Sequence, residues 1–277
     1  MRGNQALTDS IQEMERTAVR LVRLASAVIL AARGNPGQVI FKAGSNAPPN
    51  ASPASDVDRD VELMLRDEIH RAFPDHGIIG EELDDDPAPS SEYTWVLDPL
   101  DGTSNYLNGF PLFASTIGVL RDGVPVVGAT WCMTTHTGES GVYHAHEGSA
   151  LCFDHVTLER RPGAAWRGLV GEPGRAPRLG RTWDTRVIGS AATECAYVAA
   201  GMLRIASMDY PRIWDVAGGV LLARAAGCAV YSRSNAGWKR LTRFNDKDSR
   251  GLRKWRRAIV IGDANDLQSI IEDKATN

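Results

Sequence analysis

The residues best suited to chemistry are two aspartates that follow a short apolar run. Residues 95–97 are Trp-Val-Leu and predict a buried strand, which leads into Asp98 and then, three residues later, Asp101. Carboxylate oxygens at this spacing are the hard ligands that Mg²⁺ prefers. The backbone N–H groups of Gly102 and Thr103 are expected to begin a helix or turn, where free amides favour an anion. A cation site beside an anion site indicates chemistry on a phosphate.

Two further acidic motifs occur elsewhere in the chain. Residues 78–82 are Ile-Ile-Gly-Glu-Glu, and residues 214–219 are Trp-Asp-Val-Ala-Gly-Gly, which places Asp215 at the start of a predicted helix. Each motif alone also has an ordinary explanation, because Asp-Pro and Asp-Gly pairs are typical of turns and an aspartate can be a helix N-cap. The three motifs together favour a shared acidic site.

In this order the three motifs resemble those of the inositol monophosphatase family, whose patterns are Gly-Glu-Glu, Asp-Pro-Ile-Asp-Gly-Thr and Trp-Asp-x-Ala-(Ala/Gly)-Gly. The chain matches all three, with Leu100 where isoleucine is usual, and the resemblance extends from about Lys42 to about Val230. It implies a Mg²⁺-dependent, lithium-sensitive phosphatase that hydrolyses inositol monophosphate or a related polyol or sugar phosphate.

The resemblance also implies a ligand set for two or three Mg²⁺ ions. Glu81 and Asp98 would hold the first ion, together with the backbone carbonyl of Leu100. Asp98 would bridge to a second ion, which Asp101 and Asp215 complete, and a third ion would share Glu81. Such paired ions are typical of phosphate ester hydrolysis.

The catalytic residues implied by the resemblance are Glu81, Thr103 and Asp58. The attacking group would be a metal-activated water, which Thr103 orients while Asp58 hydrogen-bonds the threonine. Gly102 and Thr103 would also bind the phosphate.

The segment around Asp58 departs from the family pattern Asp-x-Val-Thr-x-x-Asp-x-x-x-Glu. Asp58 and Glu62 match this pattern, whereas Ser52 replaces the leading aspartate and Ser55 replaces the threonine. A catalytically weak member that serves as a binding or regulatory protein is therefore an alternative hypothesis.

The substrate side is implied by residues 186–192, which resemble the family segment Arg-Ser-x-Gly-Ser/Thr-Ala-Ala. Ser190 and Ala191 fall where substrate hydroxyls are contacted, and Asp101 and Asp215 are expected to contact substrate as well.

One substrate position differs from the family. Met208 replaces the inositol-binding glutamate, and Asp209, one place away, is the candidate substitute. A site that loses an acceptor for a hydroxyl loses discrimination among polyols. Adenosine 3′,5′-bisphosphate, fructose 1,6-bisphosphate, histidinol phosphate and nicotinamide dinucleotide phosphates therefore stay open as substrates.

Composition and charge argue against several classes of function. The 277 residues carry a net charge of −3, so no global positive field indicates nucleic acid. Four cysteines without paired or zinc-like spacing are typical of a reducing cytoplasm, and the longest apolar segment, 24–32, is too short to span a bilayer. We expect a cytoplasmic protein without a secretory signal, with a small phosphorylated substrate as its partner and neither nucleic acid nor membrane. The family resemblance implies a homodimer.

Hydrophobic periodicity predicts helices over residues 8–33 and 56–73, the first capped by Thr8 or Asp9. The polar stretch 44–55 predicts a loop, before which Lys42 is the candidate for the family's loop lysine. Asp122-Gly123 predicts a hairpin that joins strands over 113–121 and 124–133, and a meander continues over 141–146 and 150–153.

After about residue 160 strands and helices alternate, which indicates α/β structure after an α+β first half. The expected strands lie near 167–171, 185–188, 203–207, 228–231 and 257–261, and the expected helices near 191–201, 213–226 and 264–273. The resemblance implies one compact catalytic unit with an N-terminal lobe of about 1–158 and a C-terminal lobe of about 159–277. Its layers would form the α-β-α-β-α sandwich of the sugar phosphatases.

Three weaker signals have ordinary interpretations. His144, His146 and His155 could suggest zinc, but alternating surface histidines account for them. The basic segment 243–257 could attract anionic ligands, although interspersed aspartates favour a solvated surface. Cys195 lies in a predicted helix and is expected to pack in the core.

Overall fold

The computed structural model of the chain describes residues 2–41, 53–84, 91–160, 168–171, 183–244 and 249–272. Lys42 and most of the predicted loop at 44–55 lie outside these ranges, so their contribution to a site stays a prediction.

The described helices are α1 (Arg2–Ala31), α2 (Asp56–Ala72), α3 (Thr103–Leu107), α4 (Ala191–Ala200), α5 (Ile213–Ala225), α6 (Ser249–Lys254) and α7 (Ala264–Glu272). The described strands begin with β1 (Val39–Phe41), β2 (Pro53–Ser55), β3 (Gly77–Gly80), β4 (Tyr93–Asp101), β5 (Ala114–Arg121), β6 (Val124–Cys132), β7 (Gly141–His146), β8 (Cys152–Phe153) and β9 (Val156–Thr157). They continue with β10 (Gly168–Gly171), β11 (Trp183–Arg186), β12 (Ile205–Met208), β13 (Ala229–Ser234), β14 (Gly237–Arg240) and β15 (Ile259–Gly262).

Seven of the described strands form the first sheet, in the order β3-β4-β5-β6-β7-β8-β9. Because side chains alternate along a strand, β4 contributes to two cores. Trp95 and Leu97 pack with residues of α1 and α2, whereas Val96 packs with residues of α5 on the opposite face. The first sheet is therefore covered by helices on both faces.

Six further strands form a second sheet within the described residues, in the order β11-β10-β12-β15-β13-β14. Ile259 and Ile261 of β15 share a core with α5, whereas Val260 packs with Leu267 of α7 on the other face. The order of layers is α1 and α2, first sheet, α4 and α5, second sheet, α7. The predicted α-β-α-β-α sandwich is confirmed.

Helix α5 lies directly on the backbone of the first sheet. A Cβ on Gly118 of β5 would lie 2.8 Å from the backbone nitrogen of Gly218. A Cβ on Gly218 would in turn lie 2.7 Å from the hydroxyl oxygen of Thr116, and one on Gly128 of β6 would overlap the Gly218 carbonyl. The Ala-Gly-Gly sequence that follows Asp215 is therefore required by close packing.

Most predicted elements are confirmed, with shifts of a few residues at their ends. The hairpin turn has φ of 50° at Asp122 and 80° at Gly123, the left-handed conformation that this pair tolerates. The cap predicted at Thr8 or Asp9 is wrong, because α1 already spans both positions. Strand β14 was not predicted, since its charged sequence Gly-Trp-Lys-Arg lacks a continuous apolar run. Among the described helices, none combines the length and apolarity needed to cross a bilayer.

Glu15 fastens α1 to the first sheet through two histidines of β7. The Nδ1 atom of His144 lies 2.7 Å from Glu15 Oε1, and Nδ1 of His146 lies 2.6 Å from Oε2. The Nε2 atom of His144 lies 2.8 Å from the carbonyl oxygen of Asp154. Both nitrogens of His144 thus face acceptors, an arrangement that favours the imidazolium. These two histidines are largely buried partners of α1, so the interpretation of them as alternating surface histidines is wrong.

The cluster makes opposite changes to two pKa values. Burial opposes ionisation of Glu15, but hydrogen bonds from His144 and His146 outweigh it and lower the Glu15 pKa. Burial likewise opposes the charge on His144, but its bonds to Glu15 and Asp154 outweigh burial and raise the His144 pKa. Because the Glu15 pKa is lowered, the ionised carboxylate stabilises the fold at pH values above 4.5, the ordinary pKa of this group. Because the His144 pKa is raised, the protonated imidazole stabilises the fold at pH values below 6.5, its ordinary pKa.

We expect Glu15→Gln to destabilise the protein most between these two values, by about 2 kcal/mol near pH 5.5. The loss should shrink as the pH rises through the His144 pKa, because the neutral imidazole no longer pairs with the carboxylate. Thermal unfolding at pH 5.5 and pH 9 measures the difference. Glu13→Gln, at an exposed position of the same helix, is the control. An equal effect of Glu15→Gln at both pH values would contradict the ion pair.

Candidate active site

The two aspartates of the central motif lie at the end of β4. Asp98 is 1% exposed and pairs across the sheet with Thr116, and the ladder is interrupted between Asp98 and Asp101. Gly102 then adopts φ of 86° as the N-cap of α3, which begins at Thr103 as predicted. A glycine is favoured there because side chains rarely adopt this φ. The turn directs the last carboxylate and the first amides of α3 to the same end of the strand.

Glu81 emerges beside these aspartates because β3 and β4 are parallel neighbours. Gly80 is in register with Leu97, so Glu81 follows β3 at the level where Asp98 follows Leu97 within β4. Burial raises the pKa of Asp101 to about 6, hydrogen bonds from Ser190 and Ala192 oppose this change, and repulsion from Glu81 adds to it. Glu81 and Asp101 are thus close enough to interact electrostatically.

Asp101 is held by the beginning of α4. The hydroxyl of Ser190 lies 2.5 Å from Asp101 Oδ2 and the backbone N–H of Ala192 lies 2.7 Å from the same oxygen. The amide of Ala191 is a further hydrogen-bond donor to this carboxylate. Ser190 and Ala191, predicted to contact substrate, therefore contact a predicted metal ligand.

The predicted hydrogen bond between Thr103 and Asp58 is present. The hydroxyl oxygen of Thr103 lies 2.8 Å from Asp58 Oδ1 and 3.0 Å from the Leu100 carbonyl oxygen. The other carboxylate oxygen, Oδ2, accepts hydrogen bonds from the amide and the hydroxyl of Ser55, at 2.8 and 2.6 Å. Burial raises the pKa of Asp58, although these hydrogen bonds oppose the change and repulsion from Glu82 adds to it. Ser55 thus supplies the same hydroxyl that the family threonine would.

Glu62 was matched to a family motif but given no role by the sequence. It is fully buried, and its carboxylate accepts hydrogen bonds from the amides of Glu82 and Leu83, at 2.7 and 3.2 Å. Arg66, one turn later on α2, forms an ion pair with Glu62 at 2.9 Å. A Cβ on Gly80 would overlap the Glu62 carboxylate. Glu62 therefore positions the loop that carries Glu81, and its spacing of four from Arg66 was the available sequence signal.

Arg253 holds the same loop from the other side. Its Nη1 donates to the carbonyl oxygens of Gly80 and Leu83, at 2.7 and 3.1 Å. Its guanidinium carbon also lies 5.3 Å from the centre of the Trp214 ring, in a cation–π contact. Arg253 thus connects the Glu81 loop to the residue before Asp215. The interpretation of the basic segment as a solvated surface is wrong for this residue, and no local pattern marked its contact.

Asp215 is the third residue of α5 rather than its N-cap. The N-cap of α5 is Arg212. The backbone N–H of Arg212 donates a hydrogen bond to Asp215 Oδ2 at 2.7 Å, as in a capping box. Burial raises the pKa of the Cys195 thiol, and the charges of Glu194, Asp101 and Asp215 raise it further. The Cys195 thiol is therefore within electrostatic range of all three carboxylates. Cys195 itself is buried, which confirms its predicted place in the core.

Glu194 is a buried acid that the sequence analysis missed. Burial raises the pKa of Glu194 to about 8, and repulsion from Asp101 adds to this effect. It lies in the first turn of α4, where an acid is common, so nothing local distinguished it. Asp209, in contrast, is exposed just after β12, and its predicted contact with substrate stays a prediction.

The acidic residues provide hard oxygen donors but not a preformed cluster. Among the described residues, no three acidic, histidine or cysteine side chains are arranged to hold a metal ion. Glu81, Asp98 and Asp101 share one edge of the first sheet, and Asp215 begins the helix packed on that sheet. Their joint coordination of Mg²⁺ stays a prediction.

A family model described as the inositol monophosphatase family matches residues 10–246. The chain is similar to an inositol-1-monophosphatase, ImpA, of Mycolicibacterium smegmatis, with 35% identity over 66% of this chain and 72% of that protein. It is also similar to the Nus factor SuhB of Xylella fastidiosa, with 33% identity over 63% of this chain and 66% of that protein, just under two thirds of its length.

A solved structure resembles most of the chain. The extragenic suppressor protein suhB from Bartonella henselae has a TM-score of 0.74 and 23% identity, with 95% of this chain and 100% of that chain covered. At 23% identity, this similarity shows that the two chains share a fold and nothing further.

We expect Glu62→Ala to destabilise the protein by about 3–5 kcal/mol, because it leaves Arg66 buried without its carboxylate partner. It also frees the amides of Glu82 and Leu83 from their acceptor. Unfolding in urea measures the loss. Asp67→Ala, at an exposed position of the same helix, is the matched control. Equal unfolding free energies for the two variants would show that the Glu62 contacts do not hold the loop.

Proposed function

Because the chain belongs to the inositol monophosphatase family, a family of phosphatases, we propose that it hydrolyses a small phosphate monoester with Mg²⁺ as its cofactor. One observation carries the proposal: Thr103, two residues after Asp101, donates a hydrogen bond to the buried Asp58 just past the end of β4, whose neighbour β3 leads into Glu81. Polyol or sugar phosphates are the substrate class that we propose, with inhibition by lithium.

The donor set fits a hard divalent cation. Glu81, Asp98, Asp101, Asp215 and the Leu100 carbonyl would hold two or three Mg²⁺ ions through oxygen atoms. Burial and repulsion from Glu81 raise the pKa of Asp101, and a bound cation would offset both effects. When bound, Mg²⁺ would neutralise charge on the phosphoryl group and increase the acidity of a water molecule.

The hydroxyl of Thr103 can orient a water. A hydroxyl has one proton to donate and two lone pairs to accept with. While Asp58 is ionised, Thr103 donates its proton to Asp58 Oδ1, 2.8 Å away, and a lone pair of its oxygen is left to accept a proton from water. Ser55 holds the other carboxylate oxygen, so the orientation of Asp58 is set before substrate binds. This preorganisation supports Asp58 and Thr103 as catalytic residues, with Glu81 as the third.

The remaining roles follow from position. Gly102 and Thr103 are proposed to bind the phosphate through the amides at the start of α3, which lack partners within the helix. Ser190 and Ala191 at the start of α4 are proposed to contact the rest of the substrate, together with Asp101 and Asp215. Asp209 is proposed to accept a hydrogen bond from a substrate hydroxyl, which the side chain of Met208 cannot do. A homodimer in the cytoplasm completes the proposal.

We expect Asp98→Asn to reduce Mg²⁺-dependent phosphate release by at least about 100-fold, because an amide is a poor ligand for the cation. The variant should keep its fold, since asparagine has the same shape. Phosphate release is measured on inositol 1-phosphate, fructose 1,6-bisphosphate, histidinol phosphate and adenosine 3′,5′-bisphosphate, and Asp84→Asn, at an exposed position after Glu81, is the control.

Full activity of Asp98→Asn would contradict the ligand assignment. If the unmodified protein releases no phosphate from any of these esters, the alternative of a non-catalytic binding protein is favoured instead. The ester hydrolysed with the highest kcat/KM identifies the substrate class.

We expect Thr103→Val to lower kcat by about 10²–10⁴-fold with little change in KM, because the hydroxyl acts on the attacking water rather than on the bound ester. Thr103→Ser should restore most of the activity, since it keeps the hydroxyl bonded to Asp58. Steady-state kinetics at saturating Mg²⁺ measures both variants, and circular dichroism checks the fold. The role fails if the valine variant turns over at the normal rate.

A further inference from the structure

A cavity of about 950 Å³ lies on the second sheet, formed by parts of the chain to which the proposed function gives no role. Its wall includes residues 233–238 of the β13–β14 hairpin, with Tyr210, Arg256, Arg257 and Ile271 on the other sides. The volume is within the range of sites for small organic ligands, about 300–1,000 Å³.

The cavity is strongly basic although the chain carries a net charge of −3. Arg233, Arg256 and Arg257 line it, and none of the described lining residues is acidic. Within the described part of the chain, neither Arg233 nor Arg257 forms a salt bridge with a carboxylate. Guanidinium groups bind phosphate oxygens in a bidentate manner, so three of them in one cavity favour a phosphorylated ligand.

Two aromatic rings lie beside these cations. Trp238 is directly opposite Arg233 in the β13–β14 pair, so their side chains share one face of the sheet. Tyr210 is 59% exposed and has φ of 54°, which is uncommon for a residue with a side chain. Arg256 holds this conformation by donating from Nε to the Tyr210 carbonyl oxygen at 2.9 Å. A strained residue that presents an exposed ring to a cavity is typical of a binding site.

We propose that this cavity binds a nucleoside phosphate, with the base stacked on Trp238 or Tyr210 and the phosphate bound by the arginines. Aromatic side chains stack on any nucleobase, and guanidinium groups add both charge and planar contacts. A sugar phosphate or inorganic phosphate would satisfy the arginines but leave the rings unused. The proposal is independent of the phosphatase proposal.

The cavity is linked to the candidate active site by one loop. Arg212 forms an isolated antiparallel bridge with Arg256, and the backbone N–H of Arg212 donates to Asp215 Oδ2. The cavity residues and the predicted Mg²⁺ ligands are nevertheless different residues, so ligand binding at the two places can be separated by substitution.

Isothermal titration of the full chain with AMP in EDTA tests the proposal, because removal of divalent ions prevents turnover. We expect one AMP to bind per chain, at least about tenfold more tightly than ribose 5-phosphate, adenosine or inorganic phosphate. Arg233→Glu and Arg257→Glu should each weaken AMP binding by at least about tenfold, whereas Arg243→Glu, at an exposed position outside the cavity, should not. Trp238→Leu should remove the preference for AMP over ribose 5-phosphate, and Trp238→Phe should keep part of it.

The proposal is overturned if AMP does not bind, if ribose 5-phosphate binds as tightly as AMP, or if the two charge reversals leave AMP affinity unchanged. Loss of AMP binding in Asp98→Asn would place the nucleotide in the candidate active site instead, and would also overturn it. Thermal unfolding of each variant shows whether the fold is kept. Because binding is measured without turnover, any of these failures leaves the phosphatase proposal to its own test of phosphate release.

Discussion

The direct contact between helix α5 and the backbone of the first sheet determines where the acidic residues can meet. Gly118, Gly128 and Gly218 bring the helix so close that a methyl group at any of them would overlap backbone or side-chain atoms. Because α5 begins with the segment that carries Asp215, this close packing sets the height of that carboxylate above the strands. A protein interior does not deform continuously, so a larger residue at the contact would displace the whole helix.

The candidate site places many acidic side chains near the core. Asp58, Glu62 and Asp98 are buried. Burial raises the pKa values of Asp101 and Glu194, and repulsion from Glu81 and from Asp101, respectively, adds to the change. Buried charge is costly unless it is hydrogen-bonded or paired. The chain meets this requirement in different ways: Glu62 is paired with Arg66, Asp58 accepts from Ser55 and Thr103, and Asp101 accepts from the start of α4.

The elements with a strong local signal were predictable, and those whose local signal is weak were missed. Helix α2 and the Asp122–Gly123 hairpin follow from periodicity and turn chemistry, which act over a few residues. The start of α1 was predicted too late, because residues 2–5 are polar or glycine and provide no apolar period, although they join the helix. Strand β14 was missed although it forms a local hairpin with β13, because its sequence Gly-Trp-Lys-Arg has no apolar run.

The sequence by itself determined the family and the kinds of side chain available for catalysis, because motifs are properties of neighbouring residues. The order of the layers followed from the family resemblance rather than from periodicity. Only the tertiary structure decided that Glu62 and Arg253 hold the Glu81 loop from two sides. It also decided that Arg233, Arg256 and Arg257 line one cavity. Arg253 and Gly80 are 173 residues apart, and contacts at such separation depend on how the sheets pack rather than on any local pattern.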